Sequence, residues 1–117
     1  MWSIDVTLIE SWLLELNEKD YAQVIAALEV LEELGPSAGR PLVDSVKYSR
    51  YKNMKELRPG SSGRSELRLL FAFDPRREAI FLVAGDKSNS WSKWYLRNVR
   101  RADELFAEHL KGLDKHE

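Results

Sequence analysis

The first third of the chain has the hydrophobic spacing of a short strand followed by two helices. Trp2, Ile4 and Val6 alternate with polar residues, which is the two-residue period of a half-buried strand. Apolar residues then recur every three or four positions in two adjacent segments, which predicts two amphipathic helices. The two stripes consist of Ile9, Trp12, Leu13 and Leu16, and of Tyr21, Val24, Ile25, Leu28 and Leu31.

The ends of these two helices carry recognisable signals. Thr7 and Glu10 have the spacing of a capping box, which predicts the start of the first helix, and Asp20 is a candidate cap for the second. Gly35 and Pro36 are typical of a helix C-terminus. Because the connection between the helices is short, we expect them to form a helical hairpin.

The middle of the chain has the pattern of a small sheet. Residues 37–52 show no period and are expected to be irregular. Strands are predicted at about residues 53–58, 65–73 and 79–85, separated by the turn sequences PGSSG and DPRRE. The third of these strands is nearly continuously apolar, as expected of a strand covered on both faces.

A final helix is predicted after the sheet, with Ser90 as its candidate cap. Its apolar stripe consists of Tyr95, Val99, Ala102, Phe106 and Leu110. The order β-α-α-β-β-β-α predicts an α+β fold with a small, mostly antiparallel sheet, in one domain over residues 1–117. The helical hairpin and the sheet are expected to share a core that includes Trp12, Leu16, Leu28, Leu69, Phe71 and Phe81.

Composition excludes several kinds of chemistry. The chain has no cysteine, and its two histidines, His109 and His116, are close to the C-terminus. A cysteine nucleophile, a thiolate metal site and a Ser-His-Asp triad are therefore not expected. His109 is predicted to be solvated. The short apolar runs and the absence of a signal-peptide pattern predict a cytoplasmic protein without a membrane segment.

Charge is strongly segregated along the chain although the formal net charge is only −1. Residues 1–46 carry a net −7, whereas residues 47–101 carry a net +9. The basic part predicts a positive concave surface that faces away from the helical hairpin and binds a polyanion. The alternative is a solvated face whose charge is balanced by neighbouring acids.

Four motifs follow one another from the middle of the chain to its end. They are KELRPG, RSELRLLFAFDPRR, LVAGDKSNSWSKWY and ADELFAEHL. In this order they resemble the RelE/ParE/HigB toxin superfamily, specifically its phage-derived HigB-like branch. The resemblance extends over nearly the whole chain and implies a RelE-like fold.

The resemblance implies the toxin of a type II toxin–antitoxin system. Such a toxin would be a ribosome-dependent mRNA endonuclease that inhibits translation and needs no metal or cofactor. The implied partners are a cognate antitoxin, expected to be a helix-turn-helix protein, and mRNA on the ribosome. Cleavage by attack of the 2′-OH needs a base, charge stabilisation and a proton for the leaving oxygen. With this composition, Lys, Arg and Tyr side chains must supply them.

Arg68 matches the family's strand arginine, and its planar fork suits a phosphate. Its alternative role is an ion pair with Glu66 or Glu56. Arg58 and Lys55 lie on the preceding strand and alternate oppositely, so only one is expected to face the groove. The Glu-Leu-Arg motif favours Arg58, which an ordinary structural ion pair would also explain.

Two further residues complete the candidate catalytic set. Lys87 follows the last strand, where neighbouring cations would lower its pKa and make it a better base, although an ordinary surface lysine is equally expected. Tyr95 could stack a base or donate a proton, or it could simply pack in the core. The candidate RNA-binding residues are Lys52, Arg64, Trp91, Lys93 and Arg97.

The chain departs from the family in one respect. Several relatives use a histidine in or near the groove, and this chain has none before His109, so the general base stays unassigned. Two alternatives therefore remain open. One is a ParE-like inhibitor of DNA gyrase on the same fold, and the other is a non-catalytic domain that binds nucleic acid or an antitoxin.

Overall fold

The computed structural model describes residues 1–60, 65–88 and 91–115, and for 91, 92, 114 and 115 it describes the backbone alone. In the described chain, one strand and two α-helices are followed by four strands and a final α-helix, which is an α+β arrangement as predicted. The strands are β1 (Ser3–Asp5), β2 (Val43–Ser45), β3 (Met54–Leu57), β4 (Leu67–Phe73) and β5 (Glu78–Asp86). The α-helices of the described chain are α1 (Glu10–Leu14), α2 (Glu18–Leu34) and α3 (Trp91–Lys115).

The five strands form one sheet in the order β1-β5-β4-β3-β2. Strand β1 runs parallel to β5, and the other neighbours are antiparallel. The mostly antiparallel sheet and the hairpin of β3 and β4 confirm the sequence-based prediction. This is also the architecture that the resemblance implied.

Strand β2 corrects the expectation that residues 37–52 are irregular. Val43 pairs with Leu57, and Ser45 pairs with Lys55 across the edge of the sheet. Val43 is buried, whereas Ser45 is exposed. Three residues are too few to display a strand period, so the partner strand decides this conformation through its backbone hydrogen bonds.

The sheet has a hydrophobic layer on each face. Leu69 and Phe71 of β4 face α1 and α2, whereas Leu70 and Ala72 face α3. Both faces of β4 and β5 are therefore covered, as the apolar run of β5 predicted. The predicted core is confirmed. Leu28, Leu69, Phe71 and Phe81 are buried in one cluster, against which Trp12 and Leu16 pack as partly buried side chains.

The helix caps differ from those predicted. The capping box of Thr7 and Glu10 is wrong, because Thr7 lies in a 3-10 turn and its backbone N–H donates to Asp5 Oδ1 at 2.9 Å. The N-cap of α2 is Asn17, not Asp20. Asn17 Oδ1 accepts a hydrogen bond from the Asp20 backbone N–H at 2.8 Å. Both asparagine and aspartate favour this position, so the sequence alone could not rank them.

The prediction that His109 is solvated is also wrong. His109 Nε2 lies 2.8 Å from Asp74 Oδ2, and its side chain is only 22% exposed. Asp74 is buried in the turn between β4 and β5, where its other carboxylate oxygen accepts hydrogen bonds from the Arg76 and Glu78 backbone N–H groups. The partners are 35 residues apart, and no local pattern indicates such a contact.

Within the described residues, none of the helices combines the length and the hydrophobicity that crossing a bilayer requires.

Candidate active site

A buried glutamate brings together three of the predicted catalytic residues. Glu56 is only 1% exposed. Its Oε2 lies 3.2 Å from Arg58 Nη2, and its Oε1 lies 3.5 Å from Arg68 Nε and 3.9 Å from Lys87 Nζ. We call Glu56, Arg58, Arg68 and Lys87 the cationic cluster. Of the two partners proposed for Arg68 from sequence, Glu56 is the one with which it forms an ion pair.

Strand register explains why these side chains meet. Glu56 on β3 pairs with Leu70 on β4, and Arg68 on β4 pairs with Gly85 on β5. Side chains alternate between faces along a strand, so Glu56 and Arg68 share the α3 face with Leu70. Lys87 comes directly after β5, and its backbone N–H donates to the Glu66 carbonyl at 3.1 Å. Side chains from three adjacent strands thus meet at one end of the sheet.

Burial makes Lys87 an unusual lysine. Its side chain is 7% exposed, and its pKa is lowered from 10.5 to about 8. Loss of hydration is the main cause, and the positive charge of Arg68 adds to it, whereas the Glu56 carboxylate acts in the opposite direction. Burial also lowers the pKa of Arg68. The effect of neighbouring cations on this pKa was expected from the sequence, whereas the larger effect of burial was not.

Tyr95 lies beside the cationic cluster. Its hydroxyl accepts a hydrogen bond from the Lys47 backbone N–H at 2.9 Å, and burial raises its pKa. With Glu56 and Arg58 it lines a cavity of about 580 Å³ on the α3 face of the sheet. We call this cavity the groove. Tyr95 also packs against the core layer beneath α3. Its side chain therefore contributes both to core packing and, through the hydroxyl, to the hydrogen bond with Lys47.

Asp44 on β2 completes the wall of the groove. Its Oδ2 lies 3.2 Å from Arg58 Nη2, and the Ser45 backbone N–H donates to its Oδ1 at 2.8 Å. The hydrogen bond from Ser45 lowers the pKa of Asp44, with smaller contributions from nearby cations. Asp44 was not predicted as a site residue, because its segment was expected to be irregular. Glu56 was predicted only as a possible ion-pair partner of Arg68.

One signal in the sequence could have identified Glu56. Met54 and Leu57 are apolar residues of the same strand, and the position of Glu56 lies on the same face as Met54. A carboxylate at an inward-facing position is rare unless it is paired. Recognising the pattern required knowing that this face is covered by α3, which the alternation alone does not show.

Four other candidates that the structure describes, Lys52, Lys55, Lys93 and Arg97, lie outside the cationic cluster. Lys55 points to the opposite face of the sheet from Glu56, because it alternates with it on β3. Lys52 is exposed in the turn before β3, and Lys93 and Arg97 are exposed on α3. Lys55 pairs with Phe71, which faces α1 and α2, whereas Arg58 lines the groove on the other face.

Two RNA-binding candidates and one cap cannot be placed. Arg64 and the proposed cap Ser90 lie outside the described residues. Trp91 begins α3, but its side chain also lies outside the described set. Within the described ranges, His, Asp and Glu side chains do not form a group of three that could hold a metal ion.

Trp94, near the start of α3, packs closely against Gly85 of β5. A Cβ atom at Gly85 would lie 2.6 Å from Trp94 Nε1, and Trp94 is buried. We expect Gly85→Ala to lower the free energy of unfolding by about 1–3 kcal/mol, because the rigid indole must move to make room. Urea denaturation measures the loss. Gly39→Ala is the control, since no atom lies within 4 Å of its added Cβ; equal stability of the two variants would contradict the packing argument.

The chain was also compared with known families and proteins. The sequence model of the family described as "Phage derived protein Gp49-like" matches residues 11–107. "Putative toxin HigB2" of Mycobacterium tuberculosis is 60% identical over 109 residues, which are 93% of this chain and 54% of that protein. "Putative toxin HigB3" of the same organism is 47% identical over 109 residues, which are 89% of this chain and 93% of that protein.

These matches agree with the family indicated by the motifs. The chain spans about half the length of the HigB2 relative and most of the HigB3 relative. No solved structure matches it. The family match covers well over half of the chain, including β3, β4, β5 and every residue of the cationic cluster. The chain therefore belongs to the Gp49-like family of phage-derived proteins, in its HigB-like branch.

Proposed function

We propose that this protein is the toxin of a type II toxin–antitoxin system and acts as a metal-independent endonuclease on mRNA that is bound to the ribosome. Two relatives bear the name of toxins, which supports the first part. One observation supports the second part, the endonuclease activity. Arg58, Arg68 and a lysine with a pKa of about 8 are grouped at Glu56 next to a groove. Translation is cytoplasmic, so the proposal places the protein there.

The cationic cluster supplies what cleavage by a 2′-OH requires. Neutral Lys87 takes the proton of the 2′-OH, whose oxygen attacks the adjacent phosphorus and forms a 2′,3′-cyclic phosphate. The bond to the 5′-oxygen breaks, and this oxygen takes a proton from Tyr95. Arg68 and Arg58 stabilise the negative charge on the phosphoryl oxygens in the transition state. Glu56 is a positioning residue, since it holds the three cations without touching the RNA.

The protonation state of Lys87 predicts a pH dependence. At pH 7 about a tenth of a lysine population with a pKa near 8 is neutral, and the neutral amine is the base. Because more of it becomes neutral as pH rises, the cleavage rate should increase about tenfold per pH unit below pH 8 and level off above it. Primer extension on a translated mRNA, measured under single-turnover conditions from pH 6 to 9.5, tests this expectation.

Lys87→Met is the matching variant, since it keeps the length of the side chain without the amine. Loss of a general base should lower the rate by about 10²–10⁴-fold and remove the inflection near pH 8. Lys19→Met, on the exposed start of α2, should leave both rate and profile unchanged. A rate that falls as pH rises through 8 would contradict the role of Lys87 as the base.

A binding function without catalysis is the second candidate, and a specific observation favours it. Glu56 and Asp44 together neutralise much of the positive charge of Arg58, Arg68 and Lys87, as in a structural ion-pair network. A binder would occupy RNA or ribosomes without producing cleavage ends in primer extension. Growth arrest with no RNA cleavage and with stalled DNA gyrase would instead support the ParE-like alternative.

The proposed partner is an antitoxin. A short helix-turn-helix protein encoded next to this chain would support the pairing, since both relatives are named as toxins. Co-expression of that neighbour should restore growth and should yield a complex that co-purifies with this protein. Failure of every neighbouring gene product to restore growth would count against a toxin–antitoxin pair.

A further inference from the structure

An exposed tyrosine with an uncommon backbone conformation stands at the edge of the groove. Tyr48 lies in the loop between β2 and β3, has a φ of +72° and is 77% exposed. A bulky side chain rarely adopts a positive φ, because its Cβ atom then crowds the backbone. The surrounding structure must therefore impose this conformation on Tyr48.

Contacts with α3 on both sides of Tyr48 impose it. The Lys47 backbone N–H donates to the Tyr95 hydroxyl at 2.9 Å. After Tyr48, the Arg50 backbone N–H donates to Asp103 Oδ2 at 2.9 Å, and the Ser49 hydroxyl donates to Asp103 Oδ1. Asp103 is itself buried, so the loop is anchored to a rigid helix rather than to a mobile surface residue.

Tyr48 lines two cavities. One is the groove, which contains Glu56, Arg58 and Tyr95. The other has a volume of about 380 Å³ and a mixed lining that also includes Tyr48. Its remaining lining residues are Arg50, Leu96, Val99, Arg100, Asp103 and Glu104. We call it the second cavity.

The second cavity has the features of a nucleotide subsite. The exposed Leu96 and the buried Val99 offer apolar surface, and Arg50 and Arg100 are exposed guanidinium groups. Two carboxylates also line this cavity: Asp103 accepts hydrogen bonds from the Tyr48 loop, and Glu104 forms an ion pair with Arg101 at 3.8 Å. Aromatic rings that stack on bases, together with arginines that bind phosphates, are the usual combination in sites for single-stranded nucleic acid.

We propose that Tyr48 is a stacking platform for a base of single-stranded RNA, and that the second cavity holds the nucleotide next to the one at the cationic cluster. The inference rests on the proposed function, because it follows the same RNA strand out of the groove. The anchored loop presents the ring in its binding position before RNA arrives, so little conformational freedom is lost on binding. Arg100 contacts the phosphate of that neighbouring nucleotide.

Binding of a short RNA tests the proposal without requiring cleavage. The probe is a fluorescent single-stranded RNA octamer with 2′-fluoro groups, which cannot be cleaved by 2′-OH attack, and fluorescence anisotropy at about 50 mM salt measures its affinity. Loss of one stacked base typically weakens binding about 5- to 150-fold. We expect this loss for Tyr48→Ala and a change below about threefold for Tyr48→Phe, which keeps the ring.

Tyr21→Ala is the matched control, because Tyr21 is another exposed tyrosine, on the acidic helix α2. Its affinity for the octamer should equal that of the wild type. A series of octamers, each lacking the base at one position, allows a double-mutant cycle between the protein variant and the missing base. A single abasic position should weaken the wild type by the same factor as Tyr48→Ala and should not weaken Tyr48→Ala further. Melting curves of all variants should coincide, since Tyr48 is exposed.

Several results would overturn the inference. They are wild-type affinity in Tyr48→Ala, equal losses in Tyr48→Phe and Tyr48→Ala, and no binding of the octamer by the wild type. Unchanged RNA affinity in Tyr48→Ala, combined with lost rescue by the antitoxin, would assign this face to a protein and also overturn it. Failure of the proposed endonuclease is visible separately, because it is measured by primer extension with wild-type protein.

Discussion

Arg68→Ala is expected to lower the rate of mRNA cleavage by about 10²–10³-fold, which is the usual effect of removing a donor that stabilises the transition state. Arg68→Lys should recover little of this rate, because a point charge cannot replace two parallel N–H donors. Ribosome association should fall much less, since other cations of the basic segment contribute to it. Primer extension measures cleavage, and co-sedimentation with ribosomes measures association.

The control for Arg68 is Arg76→Ala. Arg76 is an exposed arginine in the turn between β4 and β5 and does not line the groove, so its loss should leave the cleavage rate unchanged and should lower ribosome association no more than Arg68→Ala does. Arg68→Ala should remain folded in a melting curve, because Glu56 keeps Arg58 and Lys87 as partners. Cleavage by Arg68→Ala at the wild-type rate would show that Arg68 is structural, through its ion pair with Glu56 and its hydrogen bond to the Leu67 carbonyl.

Glu56→Gln is expected to lower the free energy of unfolding by about 3 kcal/mol. Removing one partner of a buried ion pair typically costs about 3–5 kcal/mol. The lower value applies because Arg58 keeps its contact with Asp44 and is partly exposed. Glutamine preserves the shape of the side chain, so the loss reports its charge. Urea denaturation at pH 7 is the measurement.

Glu29→Gln is the matched control, since Glu29 is exposed on α2; its effect should stay within about 0.5 kcal/mol. Glu56→Gln should also move the inflection of the cleavage profile below pH 8. The reason is that the Glu56 carboxylate raises the pKa of Lys87, so its removal lowers that pKa further. An unchanged stability together with an unchanged inflection would mean that Glu56 does not hold the cluster.

The local elements of this protein could be predicted from its sequence because their periods are short. The stripe from Tyr95 to Leu110 and the alternation along β4 depend on residues two to four positions apart. The ends of α2 were partly predictable, since Gly35 stops it, but Asn17 and Asp20 compete as caps on equal terms. Strand β2 is too short to have a period at all.

The candidate site was only half visible in the sequence. Arg58, Arg68, Lys87 and Tyr95 were identified from the motifs and from the types of side chain that the chemistry needs. Glu56, which pairs with Arg58, Arg68 and Lys87, was not identified as a site residue. Its role depends on ion-pair partners that are distant along the chain and come together only in the folded sheet. Tyr48 gave no signal either, since its positive φ results from contacts with Tyr95 and Asp103, about 50 residues away.

The sequence by itself therefore determined the helices, every strand of the sheet except β2, their apolar faces and the residue types available for chemistry. Each depends on neighbours along the chain. Only the tertiary structure decided that Glu56 is buried among three cations, that Lys87 loses its hydration and that the exposed Tyr48 lines two cavities. Register between strands and the docking of α3 create these environments. The energy of a charge depends on its surroundings in space, which local pattern does not specify.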